Sequence, residues 1–314
     1  MNIYGTFQKP IISLAPMEDV TDTVFRQIIT SIQKPDLFYT EFVNVEGIYN
    51  TGRDKVIRRL EYDVCEKPII AQLWGIKPDN FYYASRFVQS LGFDGIDINM
   101  GCSKKNVYSK YTGSGMIKAD RGLVKEIIES TREGGGDLPI SVKTRLGWDD
   151  YDMEWIKFLL EQDLDVLTIH CRTAIGFRSK KILWSKILPC VDLRDTLGKK
   201  TLIFGNGEIH SVKQANEYAK KYRVDGVMIG RGAIDRPWVF TGKDDFPLLE
   251  SFDLFKKHIL LFKEKWGDSK DFNKLKKFVK SYVSDFVGSQ EIRRELMETK
   301  NIDELLSGVE KLLS

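Results

Sequence analysis

The sequence predicts a (β/α)8 TIM barrel followed by a small C-terminal all-helical domain. Three observations predict it. Short runs rich in Ile, Val, Leu and aromatic residues recur at 11–17, 36–42, 68–74, 95–101, 139–146, 166–173, 201–206 and 226–230. Segments with helical spacing of apolar residues lie between them, for example 79–91, 121–132, 153–162 and 212–222. After residue 248 no further strand run occurs.

Each of the eight runs has the length and bounding chemistry of a fully buried strand. In chain order they end in Pro16-Met17-Glu18, Glu41, Gln72, Asn99 with Cys102, Lys143 with Arg145, His170 with Arg172, Asn206-Gly207-Glu208, and Gly230-Arg231-Gly232. Eightfold alternation of strand and helix is the pattern of the closed parallel barrel. Ser211 is placed to cap the helix at 212–222. Gly, Asp and Pro cluster at 242–247, and from 251 to 313 the spacing is helical, broken near Gly267-Asp268-Ser269 and Gly288-Ser289. The expected division is a barrel over 1–245 and a helical domain over 246–314.

Composition sets bounds on the rest. A chain of 314 residues with 42% hydrophobic residues can bury a large core. A formal charge of +3 with 30% charged residues neither announces nor excludes nucleic acid. Cys65, Cys102, Cys171 and Cys190 form no C-x-x-C pair, so neither a disulfide framework nor a zinc site is indicated, and no metal is expected. The N-terminus lacks a signal-peptide pattern and no apolar run is long enough to span a bilayer. A cytoplasmic protein without a membrane partner is expected.

The strand ends carry the functional signal. Amides, a lysine, a histidine and a thiol converge on one face, the carboxyl face where barrel enzymes keep their chemistry. Asn206-Gly207 and Gly230-Arg231-Gly232 end strands seven and eight, the positions at which such barrels bind phosphate, and they point to a phosphorylated ligand. Lys143 interrupts an apolar strand, an expensive place for a charge that serves no ligand or partner. His170 is as well placed for ligand contact as for a satisfied core role. Cys102 follows Asn99 and precedes the polar loop Tyr108-Ser-Lys-Tyr-Thr-Gly-Ser-Gly115, a setting the other three cysteines lack. In the tail, Lys274, Lys276, Lys277 and Lys280 are interleaved with Phe272 and Phe278, and Arg293-Arg294 follows; such a run is ordinarily a solvated helix face.

Taken in order, Leu14-Ala-Pro-Met-Glu-Asp-Val-Thr-Asp22, Gln72-Leu-Trp-Gly75, Asp97-Ile-Asn-Met-Gly-Cys102, Ser141-Val-Lys-Thr-Arg-Leu-Gly-Trp148, His170-Cys-Arg-Thr173, Asn206-Gly-Glu208 and Ile229-Gly-Arg-Gly232 span the barrel. With these motifs the chain resembles the tRNA-dihydrouridine synthases of bacterial type, FMN-dependent (β/α)8 enzymes with a C-terminal helical domain. The resemblance implies that Pro16, Met17 and Glu18 line the flavin, that Gln72, Lys143 and His170 contact its ring, and that Asn206, Gly207, Glu208, Gly230 and Arg231 surround its phosphate. It implies that Cys102 is the catalytic acid, that Asn99 contacts the uracil and that Arg145 contacts tRNA; Lys274, Lys276 and Arg293 become expected phosphate contacts of a helical tRNA-binding domain. The implied reaction reduces the C5=C6 bond of a uridine: NADPH or NADH reduces FMN, flavin N5 delivers hydride to C6, and the Cys102 thiol protonates C5. No obligatory protein partner is implied. Ser103 and Cys171 stand where the family usually has proline and glycine, positions that bear on loop rigidity and close packing. Two other readings remain open, a related flavin barrel acting on a free pyrimidine in the manner of dihydroorotate dehydrogenase, and an RNA-binding protein without chemistry.

Overall fold

A computed structural model describes residues 3–49, 53–175 and 181–313. Nine strands form one parallel sheet: β1 (Ile11–Leu14), β2 (Phe38–Tyr39), β3 (Val43–Asn44), β4 (Ile69–Trp74), β5 (Gly95–Met100), β6 (Ile140–Arg145), β7 (Val166–His170), β8 (Leu202–Asn206) and β9 (Gly226–Ile229). Their order is β1-β9-β8-β7-β6-β5-β4-β2, with β3 beside β4. The ring closes through a parallel bridge between Ser13 and Leu37. Backbone bonds from Asp36 N to Ile12 O (2.9 Å) and from Leu14 N to Leu37 O (3.1 Å) complete that seam. The result is the expected eightfold barrel with one difference. The run expected at 36–42 holds β2 alone, and β3 follows just past its end; the two pair with opposite ends of β4. Between them the Thr40 hydroxyl, rather than a backbone carbonyl, accepts from Gln72 N at 3.0 Å, so a side chain takes over one rung of the ladder.

Side-chain alternation sorts each strand into an inner and an outer face. Ile12, Ile69, Ala71, Ile96, Ile98, Val142, Leu167, Ile203 and Val227 belong to the layer between sheet and helices. Ile11, Tyr39, Ile70, Val166, Phe204 and Met228 form a separate inner cluster, sealed from below by Tyr4 of the N-terminal turn. The Tyr4 ring meets Phe204 edge-on at 6.3 Å. Continuing the inner parity toward the carboxyl ends gives Ser13, Gln72, Asp97, Asn99, Ser141, Lys143, Arg145, Thr168, His170 and Asn206. The barrel is therefore apolar at its base and polar at its mouth.

The amino-terminal rim is stitched by a repeated device. The carboxylates of Asp36, Asp94, Asp165 and Asp225 accept the backbone N–H of Ile12, Ile69, Ile140 and Ile203 at 2.7, 2.9, 2.8 and 3.0 Å. Each aspartate precedes one strand and satisfies the first or second amide of its neighbour, which would otherwise lack a partner. The outer helices follow the apolar spacing: Pro78–Ser90, Arg121–Gly135, Met153–Leu160 and Val212–Tyr222. Ser211 caps the last of these by accepting from Gln214 N.

After β9 no strand occurs among the described residues. The tail is built from helices Leu248–Trp266, Val279–Tyr282, Ser289–Glu298 and Ile302–Glu310, with a 3-10 stretch at Phe272–Phe278. Its apolar face docks on the barrel helix Thr23–Ile32, where Phe278 stacks on Phe25 at 4.8 Å. Asp22, the N-cap of that barrel helix, also accepts from Trp266 Nε1 at 3.2 Å and from Lys270 at 2.5 Å. No helix among the described residues is long and apolar enough to cross a membrane.

Candidate active site

At the carboxyl ends of the strands lies a cavity of about 270 Å³ walled by Pro16, Met17, Glu18, Gln72, Asn99, Cys102, Lys143, Arg145 and His170, together with Phe42, Ser103 and Lys104. All nine of the first group are expected at a site from sequence. A larger hollow of about 770 Å³ lies at the opposite end, walled by Tyr4, Lys9, Asp163 and Lys199. That is the stability face of a barrel, and two of its lysines are already paired, Lys9 with Asp225 and Lys199 with Asp163. The smaller cavity holds the chemistry.

Its floor is a chain of directed hydrogen bonds. The Asp97 carboxylate, fully buried, accepts from Ser141 Oγ and from Gln72 Nε2, both at 2.6 Å. Gln72 Oε1 accepts from Asn99 Nδ2 at 2.9 Å. Asn99 Oδ1 in turn accepts from the backbone N–H of Gly101 (3.1 Å) and Cys102 (2.9 Å). An ionised carboxylate can only accept and a backbone amide can only donate, so the two ends fix which way both carboxamides face. Each carboxamide keeps one further N–H at the cavity. Burial raises the Asp97 pKa to about 6, against the pull of Ser141, Gln72 and Lys143. Asp97 and Ser141 are not expected at the site from sequence, although their two-residue spacing from Asn99 and Lys143 marks them as sharing the inner face.

Beside this chain, Lys143 of β6 donates to Asn206 Oδ1 at 3.2 Å, and Asn206 Nδ2 donates to Met228 O at 2.7 Å. Burial, and then the neighbouring Arg145 guanidinium, lower the Lys143 pKa to about 8. His170 is pushed well below the ordinary imidazole range by burial and by Arg145 and Lys143, so its ring is neutral. Arg145, expected as a tRNA contact, is occupied within the fold. It donates to Gly101 O (2.7 Å), Thr173 O (3.0 Å) and Ser103 Oγ (3.1 Å). It braces the loop that carries Cys102, and Ser103 contributes a hydroxyl to that brace. The Cys102 thiol is raised above its usual pKa, chiefly by burial, and so holds its proton at neutral pH. Glu18 pairs with Lys104 and, at 3.3 Å, with Arg59, linking the loop after β1 to the loop after β5 at the rim.

The remaining expected residues separate. Gly207 and Glu208 line an adjoining hollow of about 440 Å³ with Trp184 and His210. Gly207 has φ +136°, and a Cβ there would come within 3.2 Å of the His170 ring, so the backbone passes where a side chain cannot. Glu208 pairs with Arg172 and, at 3.5 Å, with Arg231. Gly230 lies beside Ala15 and Met17. In the tail, Lys274 pairs with Asp19 at 2.7 Å. Lys276 and Arg293, expected to meet phosphate, also donate within the tail. Lys276 donates to Met297 O (2.9 Å) and Thr299 O (2.6 Å), and Arg293 to Val283 O (2.9 Å) and Ser289 Oγ (3.1 Å). Those carbonyls terminate chain segments that have no helical partner for them, which is why basic side chains settle there.

The model of the dihydrouridine synthase (Dus) family matches residues 13–314. The chain belongs to the dihydrouridine synthase family. Among its curated relatives, a protein named probable tRNA-dihydrouridine synthase from Staphylococcus aureus (strain MRSA252) is 40% identical over 308 residues, covering 96% of this chain and 93% of the relative. One named probable tRNA-dihydrouridine synthase 2, from Bacillus subtilis (strain 168), is 39% identical over 309 residues, covering 97% and 94%. Among solved structures, morphinone reductase superposes with a TM-score of 0.54 at 13% identity, covering 77% of this synthase-family chain and 87% of its own. The old yellow enzyme homologue from Zymomonas mobilis gives 0.52 at 16% identity, covering 74% and 88%. These structural likenesses show the barrel fold.

Proposed function

We propose that this dihydrouridine synthase family member is a cytoplasmic enzyme that binds FMN and reduces the C5=C6 bond of uridines in tRNA, with NADPH or NADH as electron donor. Residues 1–245 are the catalytic barrel and 246–314 the helical domain that joins in holding the tRNA. One observation carries the reading: a thiol kept protonated after β5 at the rim of a cavity whose next two strands, β6 and β7, hold a buried ammonium and a neutral imidazole.

The donor set fits a flavin. Lys143 is a buried cation beside a second cation, with one amide oxygen as its side-chain hydrogen-bond partner, so an electron-rich ring edge would relieve it. His170 and Gln72 would hold the ring from strands on either side of Lys143, Pro16, Met17 and Glu18 would line it, and Asn206, Gly207, Glu208, Gly230 and Arg231 would surround the phosphate. FMN, when bound, supplies the hydride chemistry. Asn99, held by Gln72 and the Cys102 amide, orients the uracil through its remaining N–H. Cys102 then gives its Sγ proton to C5, a role that needs a thiol and not a thiolate. A uridine stacked in folded RNA must be drawn out to reach this cavity.

The test is the reoxidation of pre-reduced enzyme on mixing with unmodified tRNA. Wild-type enzyme should reoxidise with tRNA and not with free uridine or orotate. Cys102→Ala should keep its flavin and accept electrons from NADPH, yet reoxidise at least about a hundredfold more slowly with tRNA. Reoxidation by a free pyrimidine alone, or a full rate in the alanine variant, would overturn the proposal.

A further inference from the structure

Between Asp97 and Asp120 the chain carries no acidic residue, while Lys104, Lys105, Lys110 and Lys118 fall within that stretch. It includes Cys102 and the loop that follows it. Lys105 and Lys110 are exposed and have no carboxylate partner among the described residues. The same loop displays Tyr111, with 58% of its surface open to solvent and φ +57°. Two costs meet at this residue. A bulky side chain is held in the left-handed region that favours glycine, and an aromatic ring is left in water. Among the described residues the ring meets no other aromatic or cationic group. Its neighbours behave otherwise: Tyr108 packs edge-on against Trp148 at 5.5 Å, and Thr112 is buried with its hydroxyl on Val107 O at 2.7 Å.

The loop is also fastened to the thiol-bearing residue. Ser114 N donates to Cys102 O at 2.9 Å, and a Cβ on Gly113 would come within 2.8 Å of that same oxygen. The backbone two residues beyond Tyr111 thus lies directly against Cys102. Lys276 and Arg293 donate to carbonyls within the tail, whereas Lys105 and Lys110 belong to the loop that follows Cys102 and have no carboxylate partner among the described residues.

We infer that residues 104–111 are an RNA contact in which Tyr111 stacks on a base adjacent to the extruded uridine while Lys105 and Lys110 meet the flanking phosphates. This rests on the reading that the substrate is a uridine within RNA. Drawing one base out of a stack leaves a gap, and an aromatic face of no sequence preference fills it. With 58% of its surface open to solvent, Tyr111 is free to enter that gap.

The experiment uses full-length, flavin-loaded enzyme and follows reoxidation of the reduced flavin by unmodified tRNA. Tyr111→Gly removes the ring and relieves the backbone; Tyr111→Leu keeps bulk without an aromatic face; Tyr111→Phe keeps the face. The Gly and Leu variants should lose about tenfold to a hundredfold in kcat/KM for tRNA, the range that base stacking supports. The Phe variant should match wild type, all three should retain flavin, and the thermal midpoint of the Gly variant should not fall. In Lys105→Ala/Lys110→Ala the salt dependence of tRNA affinity should flatten by roughly 0.7 to 0.9 for each phosphate no longer neutralised. Wild-type reoxidation by tRNA is the internal control, and its absence would remove the functional reading itself. Wild-type activity together with an unimpaired Tyr111→Gly variant would overturn this inference alone.

Discussion

Replacing Asp97 by asparagine should make the protein more stable at neutral pH and a poorer catalyst. The carboxylate is fully buried and its pKa rises from 3.8 to about 6. That rise corresponds to about 3 kcal/mol disfavouring the ionised form in the folded state. In the unfolded chain the group loses its proton near pH 4, and in the folded protein near pH 6. Between those values the folded state binds more protons, so stability falls as pH rises through the window, by up to about 3 kcal/mol, and stays lower above it. A carboxamide does not titrate and resembles the protonated acid, so the wild-type and variant curves should converge near pH 4 and separate toward pH 7. Catalysis should move the other way. With an acceptor-only group replaced by one that also donates, the Gln72 and Asn99 carboxamides lose the constraint on their direction, and reoxidation by tRNA should slow by about tenfold. Urea unfolding of flavin-free protein at several pH values, alongside the reoxidation assay, reads both effects. A variant less stable at pH 7, with a pH profile parallel to wild type, would refute the reasoning.

Two further outcomes follow from groups at opposite ends of the barrel. Lys143→Met removes a buried ammonium whose pKa is lowered to about 8 from 10.5. Flavin retention should drop at least about tenfold, while only the wild-type flavin-free protein gains stability between about pH 8 and 10.5; unchanged flavin content on purification would remove Lys143 from the cofactor site. Asp165→Ala leaves the Ile140 N–H without its charged acceptor and should cost about 1.5–3 kcal/mol in urea unfolding with kcat unchanged. A loss of activity at full stability would show that the rim aspartates do more than stitch strands.

The barrel is legible in the sequence because its signals are local and repeated. A near-continuous apolar run reads as a buried parallel strand wherever it occurs, and the strand ends name the cavity wall from Pro16 to His170. What escapes is set by geometry between strands. Thr40 enters the ladder only because β4 lies beside it, so the division of β2 from β3 has no local mark. Asp97 reads as a polar interruption of an apolar strand until β4 and β6 bring Gln72 and Ser141 to it. The tail is legible only in composition: lysines and arginines near aromatic residues are suited to phosphate, and composition cannot show that Lys276 and Arg293 also donate to carbonyls at nearby chain ends.

The tail cations that remain point to coupling between the two parts of the chain. The loop after β1 carries Met17 and Glu18, which wall the cavity, and Asp19, which takes φ +60° to leave it. Asp19 is held from two sides. Its backbone N–H donates to Glu41 Oε1 at 2.5 Å, inside the barrel mouth. Its carboxylate pairs with Lys274, and its carbonyl accepts from Lys277 at 3.3 Å, both from the tail. Three residues on, Asp22 binds Trp266 and Lys270 while capping the first barrel helix. Each contact is modest alone, because partly exposed pairs contribute little. Together they leave the cavity rim few conformations that the tail does not also fix. The helical segment therefore braces the cavity rim from outside, since the walls themselves come from the barrel, and a displacement of the tail would reach Met17 and Glu18 through Asp19.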